Sequence, residues 1–186
     1  MGWRVSWYKA DKNEPIKHII EDDEYPWFKI NGEEILNNSG TDIWQELMLK
    51  NEEFKKEINC LFENDDVDVF SITKKGFEMI IFEYRQRVID YMKAAIDLYE
   101  HPEEKDLEKH LFTLDLVKDY KSELREWEGT YKDENGISKF FNIDLTKPND
   151  KFGISGSWLY KYAIFDMIEI YKYFDWDKYT MVVYGG

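Results

Sequence analysis

Cysteine, proline and histidine are scarce in this sequence of 186 residues, which holds one cysteine, four prolines and three histidines. A lone Cys60 can form neither an internal disulfide nor a thiolate zinc cluster, and this fits a reducing compartment. His18, His101 and His110 lack metal-ligand spacing, since no His-Glu-x-x-His occurs, so no metal or cofactor is expected. Long apolar runs are also missing. No stretch approaches the roughly 18 residues of a membrane span, and Met1-Gly2-Trp3-Arg4 has no apolar signal core. The expected place is the cytoplasm, with no membrane partner.

Bases are short against acids. Lys and Arg number 25 against 39 Asp and Glu, a formal net charge of −14. Binding a phosphate backbone depends on Lys and Arg displacing its counterions, so direct binding to free nucleic acid is excluded as the expected role. A basic protein surface is the complementary partner. Catalytic signatures are equally sparse: there is no Gly-x-Ser-x-Gly elbow and no dinucleotide fingerprint. The acidic clusters at 21–24, 63–68 and 97–108 lack EF-hand offsets and read as solvated faces. Cys60 reads as inert core on a helical face.

What the chain has in quantity is apolar and aromatic surface, 43% and 17% of its residues. That suffices for one core and one domain over residues 1–186. The strongest periodic signal is the stripe Phe77, Ile81, Tyr84, Val88, Tyr91, Ala95 and Leu98, followed by Leu107, Leu111, Leu114, Val117, Leu124 and Trp127. Steps of three and four put each stripe on one helical face, and the short link at His101–Glu104 predicts an antiparallel helical hairpin. Ser71 or Thr73 is the expected N-cap. A further helix, capped by Ser157 and running from Trp158 to Tyr173, is apolar around most of its circumference and should be deeply buried.

Strand character is strongest at the two ends, in Trp3–Tyr8 and Tyr179–Tyr184, which are expected to pair. Asn31-Gly32 between Trp27–Ile30 and Glu33–Leu36 predicts a two-residue β-hairpin. Pro15–Ile20 reads as a short helical turn, and a helix is expected from Thr41 or Asp42 toward Phe62. A second hairpin is expected around Lys132–Gly136. The fold class is α+β, mainly α, with a central helical hairpin, a buried C-terminal helix and a small antiparallel sheet of N- and C-terminal strands. Ile81, Val88, Leu111, Leu114, Phe165 and Ile168 are expected in the core.

Two functional readings follow. The first is a small acidic binding protein, of the phage counter-defence or toxin-immunity kind, that antagonises a partner with a basic, often nucleic-acid-binding, surface. Its binding residues would be the acids around the bend of the hairpin: Asp97, Glu100, Glu103, Glu104, Asp106 and Glu108, opposed there only by Lys105 and Lys109. The second is a small-ligand or nucleotide-binding protein, or an enzyme, built on an aromatic pocket. Its anion site would be Lys151, Gly153, Ser155, Gly156 and Ser157, where exposed amides at a helix start attract phosphate.

Overall fold

A computed structural model of the chain describes residues 4–20, 28–39, 43–64, 67–101, 114–129 and 158–185. Among these residues the architecture is α+β, with four α-helices and a five-stranded antiparallel sheet. The elements are β1 (Arg4–Asp11), β2 (His18–Ile20), β3 (Phe28–Ile30), β4 (Glu33–Ser39), α1 (Ile43–Lys50), β5 (Ile58–Asn64), β6 (Val67–Ile72), α2 (Lys74–Glu100), α3 (Leu114–Gly129), α4 (Trp158–Tyr173) and β7 (Tyr179–Gly185). Two compact units result: residues 1–81 with 170–186, and residues 82–169.

The first unit contains the sheet, in the order β4-β1-β7-β6-β5. The terminal strands pair as expected, with Trp7 opposite Val183 and Ala10 opposite Thr180. The sheet is wider than they alone would make it, because β4, β6 and β5 extend it on both sides. Alternation puts Trp7, Val183, Phe70 and Ile72 on one face. There Trp7 meets Phe77 of α2 edge-on, with ring centroids 5.4 Å apart, and Phe70 meets Trp44 of α1 at 5.2 Å. The opposite face presents Tyr8, Ala10, Val69 and Val182, which form a second buried cluster with Ile30 of β3. With apolar residues on both faces, β1 reads as continuously buried from Val5 to Tyr8.

Three local expectations are corrected. Asn31-Gly32 does not close a hairpin, since β3 pairs with β2 and β4 pairs with β1. The Asn31 side chain is held by the 15–17 segment, accepting from the Lys17 amide at 2.5 Å and donating to the Pro15 carbonyl at 3.1 Å. Gly32 lies so close to β1 that a Cβ would stand 3.0 Å from the Lys9 carbonyl oxygen. These two residues therefore carry the chain from one sheet to the other. Secondly, 15–20 is no helical turn: Glu14 closes a turn on Asp11, and His18–Ile20 is strand.

The third correction is larger. The helix that begins at Ile43 stops at Lys50, and the chain reaches Phe62 as a 3-10 turn and a strand. Asn51 ends it by accepting from the amides of Glu53 and Phe54 at 3.0 and 3.1 Å, a local bond that competes with helix continuation. Cys60 consequently sits exposed on edge strand β5 rather than inside a helical core.

α2 starts in the first unit and ends in the second. Thr73 caps it, its hydroxyl accepting from the Gly76 amide at 3.1 Å, as expected of an N-cap threonine. In the second unit α3 packs on α2 through Tyr91 and Tyr120, ring centroids 6.2 Å apart, and through the Lys121–Glu100 ion pair. Ile81, Val88 and Ile168 are fully buried, as their helical phase predicts. Leu111 lies outside the described residues, and the side chains of Leu114 and Phe165 are not described. No helix among the described residues is long and apolar enough to cross a membrane.

Candidate functional site

The sequence-predicted acidic site falls at the end of α2 and in the segment that follows it. Asp97 and Glu100 occupy the last turn of that helix, where no base is present. Asp97 is 76% exposed with its Oδ1 3.0 Å from His101 Nδ1, and Glu100 pairs with Lys121. Glu103, Glu104, Asp106 and Glu108 lie outside the described residues, as do Lys151, Gly153, Ser155, Gly156 and Ser157. So does the hairpin expected at 130–143. Among the described residues no group of three or more His, Cys, Asp or Glu is placed to hold a metal ion.

The other end of α2 has the opposite sign. Lys74 and Lys75 open it, and its first turn has no acid. A helix carries a partial positive charge at its N-terminus and a partial negative charge at its C-terminus, so acids are favoured early and bases late. α2 does the reverse at both ends. Its side chains reinforce the dipole instead of offsetting it.

The α2 start borders a cleft of about 290 Å³ in the first unit. The antiparallel register brings together the end of β6, the start of β5 and the start of β7, which sets Ile58, Ile72 and Met181 at the cleft. Three lysines from distant segments line it, Lys12, Lys56 and Lys74, against one acid, Glu57. The charge of Glu57 is already committed: its Oε2 accepts from the Thr73 hydroxyl at 2.5 Å and its Oε1 pairs with Lys75 at 3.0 Å. These two hydrogen bonds, that from Thr73 first, hold its carboxyl below the usual glutamate value.

The lysines are differently held. Lys12 Nζ donates to the Trp176 carbonyl at 2.5 Å, Lys74 Nζ stands 5.0 Å over the Tyr171 ring, and Lys56 pairs with the exposed Glu53 at 2.6 Å. Lys12 and Lys74 therefore reach the cleft without a carboxylate partner among the described residues. One wall is aromatic. Trp176 lies against Phe174 and Phe77, with centroids 4.5 and 5.9 Å away, and Tyr179 lines the cleft beside it. Tyr171, 6.2 Å from Trp176 by ring centroids, donates to Glu78, and burial followed by that carboxylate raises the phenol above its ordinary value. Ser71, Thr73 and Thr180 are also among its lining residues.

Sequence reasoning missed this cleft because its lysines are scattered over sixty residues. One signal was present: a Lys-Lys pair straight after an N-cap threonine, with no acid in the turn, has the wrong sign for helix stability. Comparison with known protein families, with curated proteins and with solved structures finds no match for this chain. The functional reading rests on the chain's own geometry.

Proposed function

We propose that this chain is a small acidic cytoplasmic protein, one domain over residues 1–186, that binds and antagonises a partner with a basic surface. The observation that carries the reading is the last turn of α2, where Asp97 and Glu100 stand at the negative end of the helix dipole with no base in that turn. Acids at that position weaken a helix. Their presence there is accounted for if they serve an encounter with a cationic surface, and the net charge of −14 acts in the same direction. In this reading α2 and α3 form an antiparallel, mainly helical hairpin. The link adds Glu103, Glu104, Asp106 and Glu108 to the same acidic region.

The chemistry is complementarity rather than catalysis. Exposed carboxylates raise the association rate and select the sign of the partner, while buried aromatic contacts supply most of the affinity. A partner recovered from the host, with a nucleic-acid-binding surface, would be blocked at that surface in the manner of a counter-defence or immunity protein. The test reverses Glu103, Glu104 and Glu108 to Lys and compares association rates with the recovered partner at two salt concentrations. Association should slow by roughly an order of magnitude or more, with a flatter salt dependence. Equal rates in both proteins would remove the acidic end of α2 and its link as the binding site.

A further inference from the structure

We infer that the lysine-lined cleft at the start of α2 binds a small phosphate-bearing molecule with a planar ring, in the size class of a mononucleotide. This lies beyond the acidic docking site: it concerns another end of the helix, the opposite charge and a different kind of ligand.

The charge argument comes first. Acids outnumber bases 39 to 25 in the chain, yet lysines outnumber acids three to one around this cleft, and its one acid is tied to Lys75 and Thr73. Lys12 and Lys74 line it from the end of β1 and the start of α2, and neither has a carboxylate partner among the described residues. A dianionic phosphate complements two cationic side chains more fully than a carboxylate would. Lysine serves phosphate as a mobile point charge, and Thr180 also lines the cleft.

Shape and rings decide what carries the phosphate. At about 290 Å³ the cleft is at the lower end for small-molecule sites, so it takes one compact molecule. A nucleic-acid strand is a poor candidate, because the polymer would meet the net charge of −14 beyond the cleft. Trp176 packs against Phe174 and Phe77, contacts that restrict its ring. Tyr179 is already faced by Lys9 and Lys178, 5.0 and 4.9 Å from its ring centroid, so the stacking surface for a nucleobase is the Trp176 indole, and such stacking tolerates any base. The phosphate is placed among Lys12, Lys56 and Lys74, and the ring against Trp176.

Isothermal titration calorimetry of the full chain, with AMP, ribose 5-phosphate and adenosine as probes at low salt, tests this. AMP should bind saturably, and both fragments should bind at least about tenfold more weakly, having lost either the stacking or the charged contacts. K12Q/K74Q should weaken AMP at least about tenfold, whereas K50Q, on α1 and already paired with Glu46, should leave it unchanged. Amide chemical shifts at Thr73 and the Trp176 indole, followed with AMP in the unmodified protein, give a readout that needs no variant. Absence of saturable AMP binding, or wild-type affinity in a folded K12Q/K74Q, would overturn the inference. Ribose 5-phosphate binding as tightly as AMP would overturn the stacking half, and adenosine doing so would overturn the phosphate half.

Discussion

Thr73 and Glu57, sixteen residues apart, are joined twice: the Thr73 amide donates to the Glu57 carbonyl at 2.9 Å, and the Thr73 hydroxyl donates to Glu57 Oε2 at 2.5 Å. The same hydroxyl accepts from the Gly76 amide. One side chain thus caps α2, holds the 3-10 turn before β5 and fixes the only acid that lines the cleft among the described residues. Thr73→Ala should destabilise the protein by about 1 kcal/mol, the usual loss for an N-cap. Thr73→Ser keeps the oxygen and should recover most of it. Denaturant unfolding of the two variants checks this, and equal stability of Ala and Ser at 73 would sink it.

Gly76, three residues on, shows why a helix-breaking residue stands in the first turn of the longest helix. A Cβ there would lie 2.9 Å from Ile72 Cγ2 and 3.1 Å from the Glu57 carbonyl oxygen. Alanine improves helix propensity by about 1 kcal/mol, but overpacking a closed contact of this kind costs about 1–3 kcal/mol. Gly76→Ala should therefore be destabilising overall, by up to about 2 kcal/mol. A melting temperature above wild type would show that the contact between β6 and α2 yields easily.

The ionisable groups beside α2 predict both limbs of the stability profile. Glu57 titrates below the 4.5 of an unperturbed glutamate, chiefly because Thr73 and then Lys75 hydrogen-bond its carboxylate. Its contribution is fully present above about pH 4.5 and is lost as the pH falls through the lowered value. Tyr171 is raised from 10.0, first by burial and then by the Glu78 carboxylate. Its contribution is present below about pH 10 and is lost as the pH rises further. Glu57→Gln should flatten only the acid limb, and Tyr171→Phe only the alkaline one. Thermal melts from pH 3 to 11 separate them, and parallel curves for wild type and either variant would contradict the assignment.

How far these features were legible in the residues depends on whether local pattern or distant pairing decides them. The α2 stripe and the β-branched, aromatic run at 179–184 announce themselves, and both elements stand where they were expected. Residues 51–62 deceive because Phe54, Ile58 and Leu61 are spaced by four and three, as on a helix. Asn51 has already stopped the helix, and the bulge between Cys60 and Phe62 hides the alternation of the strand. Asn31-Gly32 has the residues of a hairpin turn, but Pro15 and Lys17 capture its side chain. The cleft could not be read at all from spacing, since the pairing of β1 with β7, as well as that of β5, β6 and β7, brings its lysines to one place.

The reinforced dipole of α2 supplies a prediction in which stability and function move in opposite directions. Asp97 is 76% exposed in the last helical turn, and its contact with the equally exposed His101 contributes little. Asp97→Lys exchanges a charge that the helix end repels for one that it attracts, so it should stabilise the fold by about 0.5–1 kcal/mol at low salt, with the gain shrinking as salt screens it. Asp90→Lys provides the control: the residue is exposed on the same helix but lies outside the last turn, where the dipole effect has faded. It should show no such gain. If the acids at the end of α2 serve encounter with a basic surface, Asp97→Lys must also slow that encounter, because it removes one carboxylate and adds an opposing charge at the same point. A variant that folds more tightly and associates more slowly is what a binding role predicts, since a destabilising charge is then kept for what it attracts. A variant that gains stability and associates at the wild-type rate would leave Asp97 with no part in docking.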